Sequence, residues 1–436
     1  MNSDATFEYD CIIIGGGLAG LTCGIKCQSE GLSCAIVSSG MSALHFSSGS
    51  IDLLGYLPDR KLVHHPFDTL PAFIDQHPEH PYAKCGPEAV SAALTFFQQT
   101  VACEGLRLYA NIPANHFHVT ALGTLKPTFY SQQTVFNQTI KTAFESRPSI
   151  IIGNIHGFKD FHPQLAAANL KKHPLFTKCA IDCALIDLPE ACGAGDQTIQ
   201  NMRSIDIARI VDNPRNLAMI ASRIESFGRK ADILAMPAFL GIDNHSQVIS
   251  ALSDKTGMTI YEVPTLPPSI PGMRLDNALK SRFAALGGVF IAGESVTAGR
   301  IQGNRVAYIH TRNQDTDIAA RFYVLAGGSF FSRGLTSSAG HIKEPVFNLA
   351  VRPETITGEI AAPGFLDPAS HGFMRTGVIT TSDLNPLQQN GEPVTNLFCS
   401  GAVLADYNPV AEASGGGVAI TTGYHAANRI LNHDKT

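Results

Sequence analysis

A glycine-rich turn between an apolar strand and a helix limits most strongly what this chain can fold into. Residues 10–14 form a short apolar run, residues 15–20 read GGGLAG, and an apolar-patterned helix and a second strand follow. Gly15 allows a tight bend, Gly17 lets the backbone approach a phosphate, and Gly20 lets the helix lie close to the sheet. The pattern predicts a Rossmann-type nucleotide-binding domain with a phosphate at the helix N-terminus. A turn without a ligand is the alternative, and three adjacent glycines make it costly.

The end of the second strand lacks the acid that usually binds a ribose. In dinucleotide-binding domains an Asp or Glu about 20 residues beyond the glycines holds the adenosine ribose. Ser38 and Ser39 occupy that place here. The phosphate part of the site is therefore intact while the adenosine part is weak, which favours FMN over FAD or NAD. FAD bound mainly through backbone contacts is the alternative.

The length and texture of the chain indicate a domain with a long insertion. The 436 residues suit two domains or one interrupted domain. The proline-rich sequence PTLPPSIPG over 264–272 is the strongest linker signal, and strands dominate from residue 288. We expect an α/β fold with the first part of a flavin-binding domain over 1–57, an inserted α+β substrate or cap domain over 58–282, and the second part over 283–436.

Two late segments resemble the remaining parts of glutathione-reductase-like flavoproteins. An apolar strand leads into Ala326 and Gly327, and the sequence FCSGA over 398–402 resembles the last strand of that fold. Ala402 replaces the acid that usually holds the ribityl chain, a second departure that fits FMN. A final helix begins near Ser414, and we expect its N-terminus to stabilise negative charge on the reduced flavin.

The segment SALHFSSGSIDLL over 42–54 is rich in hydroxyl groups, and in this superfamily such a stretch passes along the flavin ring. The expected cofactor-binding residues therefore lie in several short segments. They are Gly15, Gly16, Gly17, Gly20, Ser38, Ser47, Ser48, Gly49, Ala326, Gly327, Gly401, Ala402, Ser414, Gly415 and Gly416.

The same hydroxyl-rich segment, together with the opening glycines, closely resembles the B subunits of anaerobic glycerol-3-phosphate dehydrogenases. The resemblance covers most of the chain, and SALHFSSGS is much more specific than the glycines. It implies an FMN-associated protein working with two partners, an FAD-bearing catalytic A subunit plus an iron–sulfur, membrane-anchoring C subunit. It also implies oxidation of sn-glycerol 3-phosphate to dihydroxyacetone phosphate, with electrons passing toward membrane quinone under anaerobic conditions. The alternatives are a flavin dehydrogenase of another small hydroxy acid, and a companion protein that relays electrons or supports a catalytic partner.

Four residues are candidates for handling the substrate. Arg352 and Arg375 lie between the two late flavin segments, and a guanidinium group matches phosphate oxygens. His371 or His45 is a candidate to take the hydroxyl proton while hydride moves to the flavin. An ordinary surface arginine and a hydrogen-bonded structural histidine are the respective alternatives.

Charge and composition exclude several classes of function. With a net charge of −5 and no run of Lys or Arg, nucleic acid is not an expected partner. Acidic residues precede the first apolar run, and no apolar stretch approaches the ~20 residues of a membrane span. We therefore expect a cytoplasmic protein associated with the inner membrane only through partner subunits. His77 and His80 lie among prolines and are expected to be exposed. No metal site is predicted, since the group Cys179, Cys183 and Cys192 fits no known ligand spacing.

Overall fold

The computed structural model describes residues 9–136, 147–188, 199–226, 230–313, 317–338, 340–352, 361–364, 367 and 370–434. The chain forms two compact units. The first contains residues 1–43, 51–105 and 276–436, and the second contains residues 44–50 and 106–275. None of the helices in the described residues is both long enough and apolar enough to cross a membrane.

The strands and helices alternate along much of the chain. The strands are β1 (Tyr9–Ile14), β2 (Cys34–Ser38), β3 (Leu108–Tyr109), β4 (His116–Val119), β5 (Leu125–Thr128), β6 (Ser131–Gln132), β7 (Ser149–Ile155), β8 (Ala180–Ile186), β9 (Ile233–Pro237), β10 (Thr259–Val263), β11 (Val289–Ala292), β12 (Val296–Gln302), β13 (Arg305–Thr311), β14 (Ala320–Leu325), β15 (Thr336–Ser338), β16 (His341–Lys343), β17 (Val351–Arg352), β18 (Gly377–Val378) and β19 (Leu397–Cys399). The helices are α1 (Leu18–Ser29), α2 (Pro66–Gln76), α3 (Pro81–Cys85), α4 (Pro87–Cys103), α5 (Gln133–Phe136), α6 (Pro163–Leu170), α7 (Ser204–Asp212), α8 (Pro214–Ser226), α9 (His245–Thr256), α10 (Ile270–Ala285) and α11 (Gly415–Asp434).

A five-stranded parallel sheet forms the centre of the first unit, in the order β11-β2-β1-β14-β19. The central strand β1 contains a continuous apolar run, and Ile12 and Ile13 are completely buried although they point to opposite faces. Such runs are typical of parallel sheets covered on both sides. Two strands come from the start of the chain and three from residues beyond 288, so the sheet is assembled from distant segments.

Residues 58–105 belong to the first unit, although the sequence suggested that the insertion begins at residue 58. Helix α4 packs against α11, and the rings of Phe96 and Tyr424 lie 5.3 Å apart. An amphipathic pattern predicts that α4 buries one face, but it does not identify the helix that covers that face. The prolines of this region begin helices in place of marking a domain boundary.

The second unit is built around a four-stranded parallel sheet in the order β10-β9-β7-β8. Helices connect its successive strands, so this sheet has α/β character, whereas the sequence suggested an α+β insertion. Short antiparallel pairs, β3–β6 and β4–β5, precede the sheet. The core of this unit contains aliphatic and aromatic side chains from all four strands and the flanking helices.

Candidate functional site

The turn after β1 lies at the carboxyl edge of the five-stranded sheet. Gly15 has a φ angle of 116°, and a Cβ atom there would collide with the carbonyl oxygen of Ala326. A Cβ atom on Gly20 would collide with the carbonyl oxygen of Gly15. These two glycines therefore allow β1, β14 and α1 to approach one another closely.

Gly17 differs from its neighbours because it faces open space. A Cβ atom there would meet only Oγ of Ser42, at 4.0 Å. Gly17 is the N-cap residue of α1, and no side chain of the described residues caps the helix there. Its carbonyl oxygen accepts a hydrogen bond from the N–H of Leu21 at 2.9 Å, which starts the helix. The remaining N–H groups and the helix dipole suit a phosphate at this position.

An aromatic ring of the strand beside β2 lies against the glycine turn. A Cβ atom on Gly16 would lie 2.6 Å from Cζ of Phe290, a residue of the edge strand β11. Nζ of Lys280 lies 5.0 Å from the centre of that ring. Ser38 donates a hydrogen bond to the carbonyl oxygen of Gly40 at 3.2 Å. Sequence reasoning missed Phe290, because the edge position of β11 is a tertiary feature.

The ends of β14 and β19 complete the same edge of the sheet. Ser400 donates its N–H to the carbonyl oxygen of Leu325 at 3.0 Å, and Gly401 donates to Oγ1 of Thr422 at 2.9 Å. Oγ of Ser400 is buried and has no hydrogen-bond partner among the described residues. Gly401 has a φ angle of 75°, and the half-buried Ala402 follows it. A buried hydroxyl without a partner at a strand end suits the polar atoms of a bound cofactor.

The first turn of α11 contains the last group of predicted cofactor-binding residues. The N–H of Gly417 donates to the carbonyl oxygen of Asp52 at 2.7 Å. A Cβ atom on Gly416 would lie 3.2 Å from the backbone nitrogen of Asp52, and Gly415 precedes it at the helix start. The glycines therefore let the start of this helix approach the backbone of Asp52, near the end of the hydroxyl-rich segment.

A buried histidine–glutamate pair fixes the loop before α11. Nδ1 of His80 accepts from the N–H of Tyr82, so Nε2 carries the proton and donates to Glu412 at 3.2 Å. Asn408 and Ser414 donate further hydrogen bonds to this carboxylate, at 2.9 and 3.0 Å. Burial raises the pKa of Glu412, but these hydrogen bonds outweigh it and hold the pKa below its ordinary value. The expectation that His77 and His80 are exposed was wrong, since His77 is half-buried and His80 is 2% exposed.

The two candidate arginines have different surroundings. Nη1 of Arg352 lies 3.2 and 3.1 Å from the two carboxylate oxygens of Asp406, which neutralises its charge. Arg375 ends a short 3₁₀ helix and lines a cavity in the first unit. His371 begins the same turn, and its Nδ1 accepts from the N–H of Ala362 at 3.1 Å.

Residues 44–50 of the hydroxyl-rich segment belong to the second unit. The carbonyl oxygen of His45 accepts from the N–H of Ser269 at 2.8 Å, and Ser47 donates to the carbonyl oxygen of Leu44 at 2.9 Å. Ser48 is half-buried, and a side chain on Gly49 would collide with Pro271.

Beyond these residues, Oγ of Ser50 lies 3.0 Å from Oγ of Ser131, which is 2.8 Å from Nε2 of His116. Burial lowers the pKa of His116 to about 4. Sequence reasoning missed this chain of hydroxyl and imidazole groups, since its members are far apart in sequence.

The cysteines cluster in a way that their spacing did not indicate. The sulfur atoms of Cys11, Cys27 and Cys34 lie within 4.8 Å of one another in the core of the first unit. Cys11 and Cys34 are paired residues on adjacent strands. Of the group noted in the sequence, Cys179 and Cys183 are partly buried, and Cys192 lies outside the described residues.

Known proteins share both the length and the sequence pattern of this chain. A family profile described as "FAD binding domain" matches residues 10–418. The B subunit of anaerobic glycerol-3-phosphate dehydrogenase from Vibrio cholerae serotype O1 is 38% identical over 426 residues, which are 97% of each chain. The corresponding protein of Pectobacterium atrosepticum is 36% identical over 97% of this chain and 99% of that one. The chain belongs to this family of B subunits.

Membership of the family identifies the cofactor class as a flavin and the chain as an oxidoreductase, a flavin-dependent dehydrogenase. Among solved structures, 3-ketosteroid Δ1-dehydrogenase from Sterolibacterium denitrificans is similar over 98% of this chain and 99% of that chain, with 12% identity and a TM-score of 0.43. The open helix end at Gly17 and the buried hydroxyl of Ser400 are the features of this chain that fit a flavin nucleotide.

Proposed function

We propose that this protein takes part in the oxidation of sn-glycerol 3-phosphate to dihydroxyacetone phosphate. The observation that supports the substrate is the 38% identity, over 97% of the chain, with proteins named for that reaction. The hydroxyl-rich sequence SALHFSSGS over 42–50 supports the same assignment.

The oxidation removes a proton from the C2 hydroxyl and a hydride from C2, and bound flavin supplies the hydride acceptor. Arg375 binds the phosphate, and Arg352 holds the adjacent loop through Asp406. His371, whose Nδ1 accepts a backbone hydrogen bond from Ala362, is one candidate to take the hydroxyl proton, and His45 is the alternative.

FMN is the proposed flavin. Ser38 at the end of β2 and Ala402 after β19 both replace acids of the FAD pattern, and Phe290 occupies space beside Gly16. Flavin released from pure protein by acid and identified by mass tests this. We expect stoichiometric FMN, and stoichiometric FAD without FMN would contradict the proposal.

The relatives are named as B subunits, which supports assembly with further chains. By resemblance these are an FAD-bearing A subunit, which is catalytic, plus an iron–sulfur C subunit that anchors the complex at the inner membrane. In this arrangement electrons leave through the flavin toward quinone, and the chain itself is cytoplasmic and only peripherally bound.

A second candidate function is an electron relay without a substrate site. The missing acids at 38 and 402 favour it, because they indicate a flavin site adapted away from the usual pattern. Anaerobic addition of sn-glycerol 3-phosphate to the flavin-loaded chain separates the two functions. Loss of the flavin's visible absorbance is expected from a substrate-oxidising chain, whereas reduction only after the FAD-bearing partner is added supports the relay.

A further inference from the structure

A cavity of about 380 Å³ opens in the first unit, between a turn at residues 57–60 and the loop that precedes α11. Arg375, Asn408, Ala411 and Glu412 complete its lining. Its volume lies within the range of roughly 300–1,000 Å³ that is usual for small-molecule sites.

The loop side of the cavity is rigidly built. Asn408 is 3% exposed, and its Oδ1 accepts from the N–H groups of Val410 and Ala411, at 3.2 and 3.0 Å. Its Nδ2 donates to Oγ of Ser370 at 3.0 Å. The carbonyl oxygen of Glu412 accepts from the N–H of Gly55 at 2.8 Å. These bonds fix the wall before any ligand arrives.

The turn side presents Arg60 in an unusual backbone conformation. Arg60 has a φ angle of 67°, in the left-handed region that residues with a side chain rarely adopt. Two backbone hydrogen bonds hold the turn. The N–H of Arg60 donates to the carbonyl oxygen of Leu57 at 2.8 Å, and the N–H of Leu57 donates to the carbonyl oxygen of Lys61 at 3.0 Å. A strained residue held by its surroundings at a cavity wall indicates a functional position.

The charges around the cavity leave two guanidinium groups without a counter-ion. Asp59 is paired with Lys61 at 2.6 Å, and the carboxylate of Glu412 already accepts from His80 and two further donors. Arg60 and Arg375 form no ion pair with any residue that the structure describes. Since the whole chain carries a net charge of −5, this local positive pair is where a dianion is attracted.

We propose that this cavity binds the phosphate group of a phosphorylated three-carbon substrate, with Arg60 as the second phosphate-binding residue beside Arg375. Two guanidinium groups suit a phosphate monoester, with its double charge and several oxygens, better than they suit a ligand with a single carboxylate. The inference rests on the proposed oxidation of glycerol 3-phosphate. To that function it adds the location of the phosphate site and a residue, Arg60, that the sequence did not indicate.

Steady-state kinetics of the assembled complex with a dye acceptor tests the proposal. We expect Arg60→Ala to raise the KM for sn-glycerol 3-phosphate about ten- to hundred-fold without changing flavin content, as for loss of a charge-assisted hydrogen bond. Arg60→Lys recovers only part, because lysine lacks the planar fork. Arg305→Ala is the matched control, since Arg305 is exposed on β13 and its loss changes the net charge equally.

Binding of inorganic phosphate to the flavin-loaded chain, measured by calorimetry, separates this proposal from the proposed function. Phosphate binding that weakens in Arg60→Ala and in Arg375→Ala, in a chain that oxidises nothing, supports the cavity and contradicts the oxidation. Oxidation with an unchanged KM in both variants supports the oxidation and overturns the cavity. If the wild-type chain does not bind phosphate at millimolar concentration, the cavity is likewise not a phosphate site.

Discussion

Single atoms distinguish glycines that look equivalent in the sequence GGGLAG. Gly15 and Gly20 are required because neighbouring carbonyl oxygens leave no room for Cβ, whereas Gly17 has open space in front of it. The first two serve the packing of the sheet and helix, and the third leaves the helix N-terminus accessible. The residue type alone predicted a phosphate-binding turn, but only the surroundings separate these two tasks.

Substitution at these glycines is expected to separate folding from cofactor binding. Gly17→Val should remove bound flavin while changing the free energy of unfolding of the flavin-free protein by less than about 1 kcal/mol, because a Cβ atom there meets only Oγ of Ser42. Gly15→Val should destabilise the fold by roughly 1–3 kcal/mol or more, from its positive φ and the collision with Ala326. Flavin absorbance per chain and urea unfolding measure the two effects. A Gly17→Val protein with full flavin occupancy contradicts a phosphate role for this turn.

A half-buried and a buried histidine in β4, His116 and His118, make stability depend on pH. Burial lowers the pKa of His116 to about 4 and that of His118 well below its ordinary value, so both are neutral when folded. The unfolded chain takes up protons near pH ~6.5, so stability is complete above that pH and is lost as pH falls toward 4. We expect the unfolding temperature to decline across this window, and less steeply in His118→Phe. Substitution of the exposed His310 provides the control variant. If the unfolding temperature falls with pH equally steeply in His118→Phe and in the wild type, the mechanism is excluded.

At the scale of whole elements, a buried ion pair joins β10 to α10 in the second unit. Arg274 binds both carboxylate oxygens of Glu262, at 2.8 and 3.0 Å, and both side chains are almost inaccessible. The N–H of Leu240 also donates to this carboxylate, at 3.0 Å. Burial raises the pKa of Glu262, but Arg274 and His245 together outweigh it and hold the pKa well below its ordinary value. The pair therefore fixes the helix against the end of the strand.

Breaking this pair from one side is expected to destabilise the protein strongly. Arg274→Met leaves a buried carboxylate without its partner and should cost about 3–5 kcal/mol. The double variant Arg274→Met, Glu262→Leu removes both charges and should recover part of that loss, because Thr134, His245 and the N–H of Leu240 lose their acceptor. Urea unfolding of the wild type, the two single variants Arg274→Met and Glu262→Leu, and the double variant forms the double-mutant cycle. If the double variant is no more stable than Arg274→Met, the unpaired charge does not account for the loss.

The predictability of each element depended on how local its signals are. The unit β1–α1–β2 was visible because strand, glycines and helix are adjacent in sequence, and the flavin class followed from it. In the second unit the apolar runs at β7 and β9 are visible in the sequence, but their union in one parallel sheet depends on contacts between distant segments. Arg60, Phe290 and the His80–Glu412 pair could not be predicted for the same reason: no local pattern places them at a cavity or a sheet edge.

At the scale of the whole molecule, the chain is expected to lack iron when purified alone. The spacing of its cysteines matches no cluster motif, and the three grouped thiols lie in the apolar core of the first unit. Metal analysis of the isolated chain, purified without oxygen, measures this directly. Stoichiometric iron or zinc would contradict the prediction, and loss of that metal in Cys27→Ala but not in Cys103→Ala would assign it to the buried thiols.

The assembly of the five-stranded sheet from both ends of the chain imposes an order on synthesis. Strand β1 pairs on one side with β2 at once, but its other neighbour, β14, begins only at residue 320. At ~5–20 residues per second the ribosome needs roughly 15–60 s to reach that point. During this interval an apolar strand edge stays unpaired, which is the condition that favours aggregation and chaperone binding. The proposed flavin site includes the first residues of α11, so its surface would be complete only after that helix has begun to emerge, and cofactor insertion would be a late event in the life of each newly made chain.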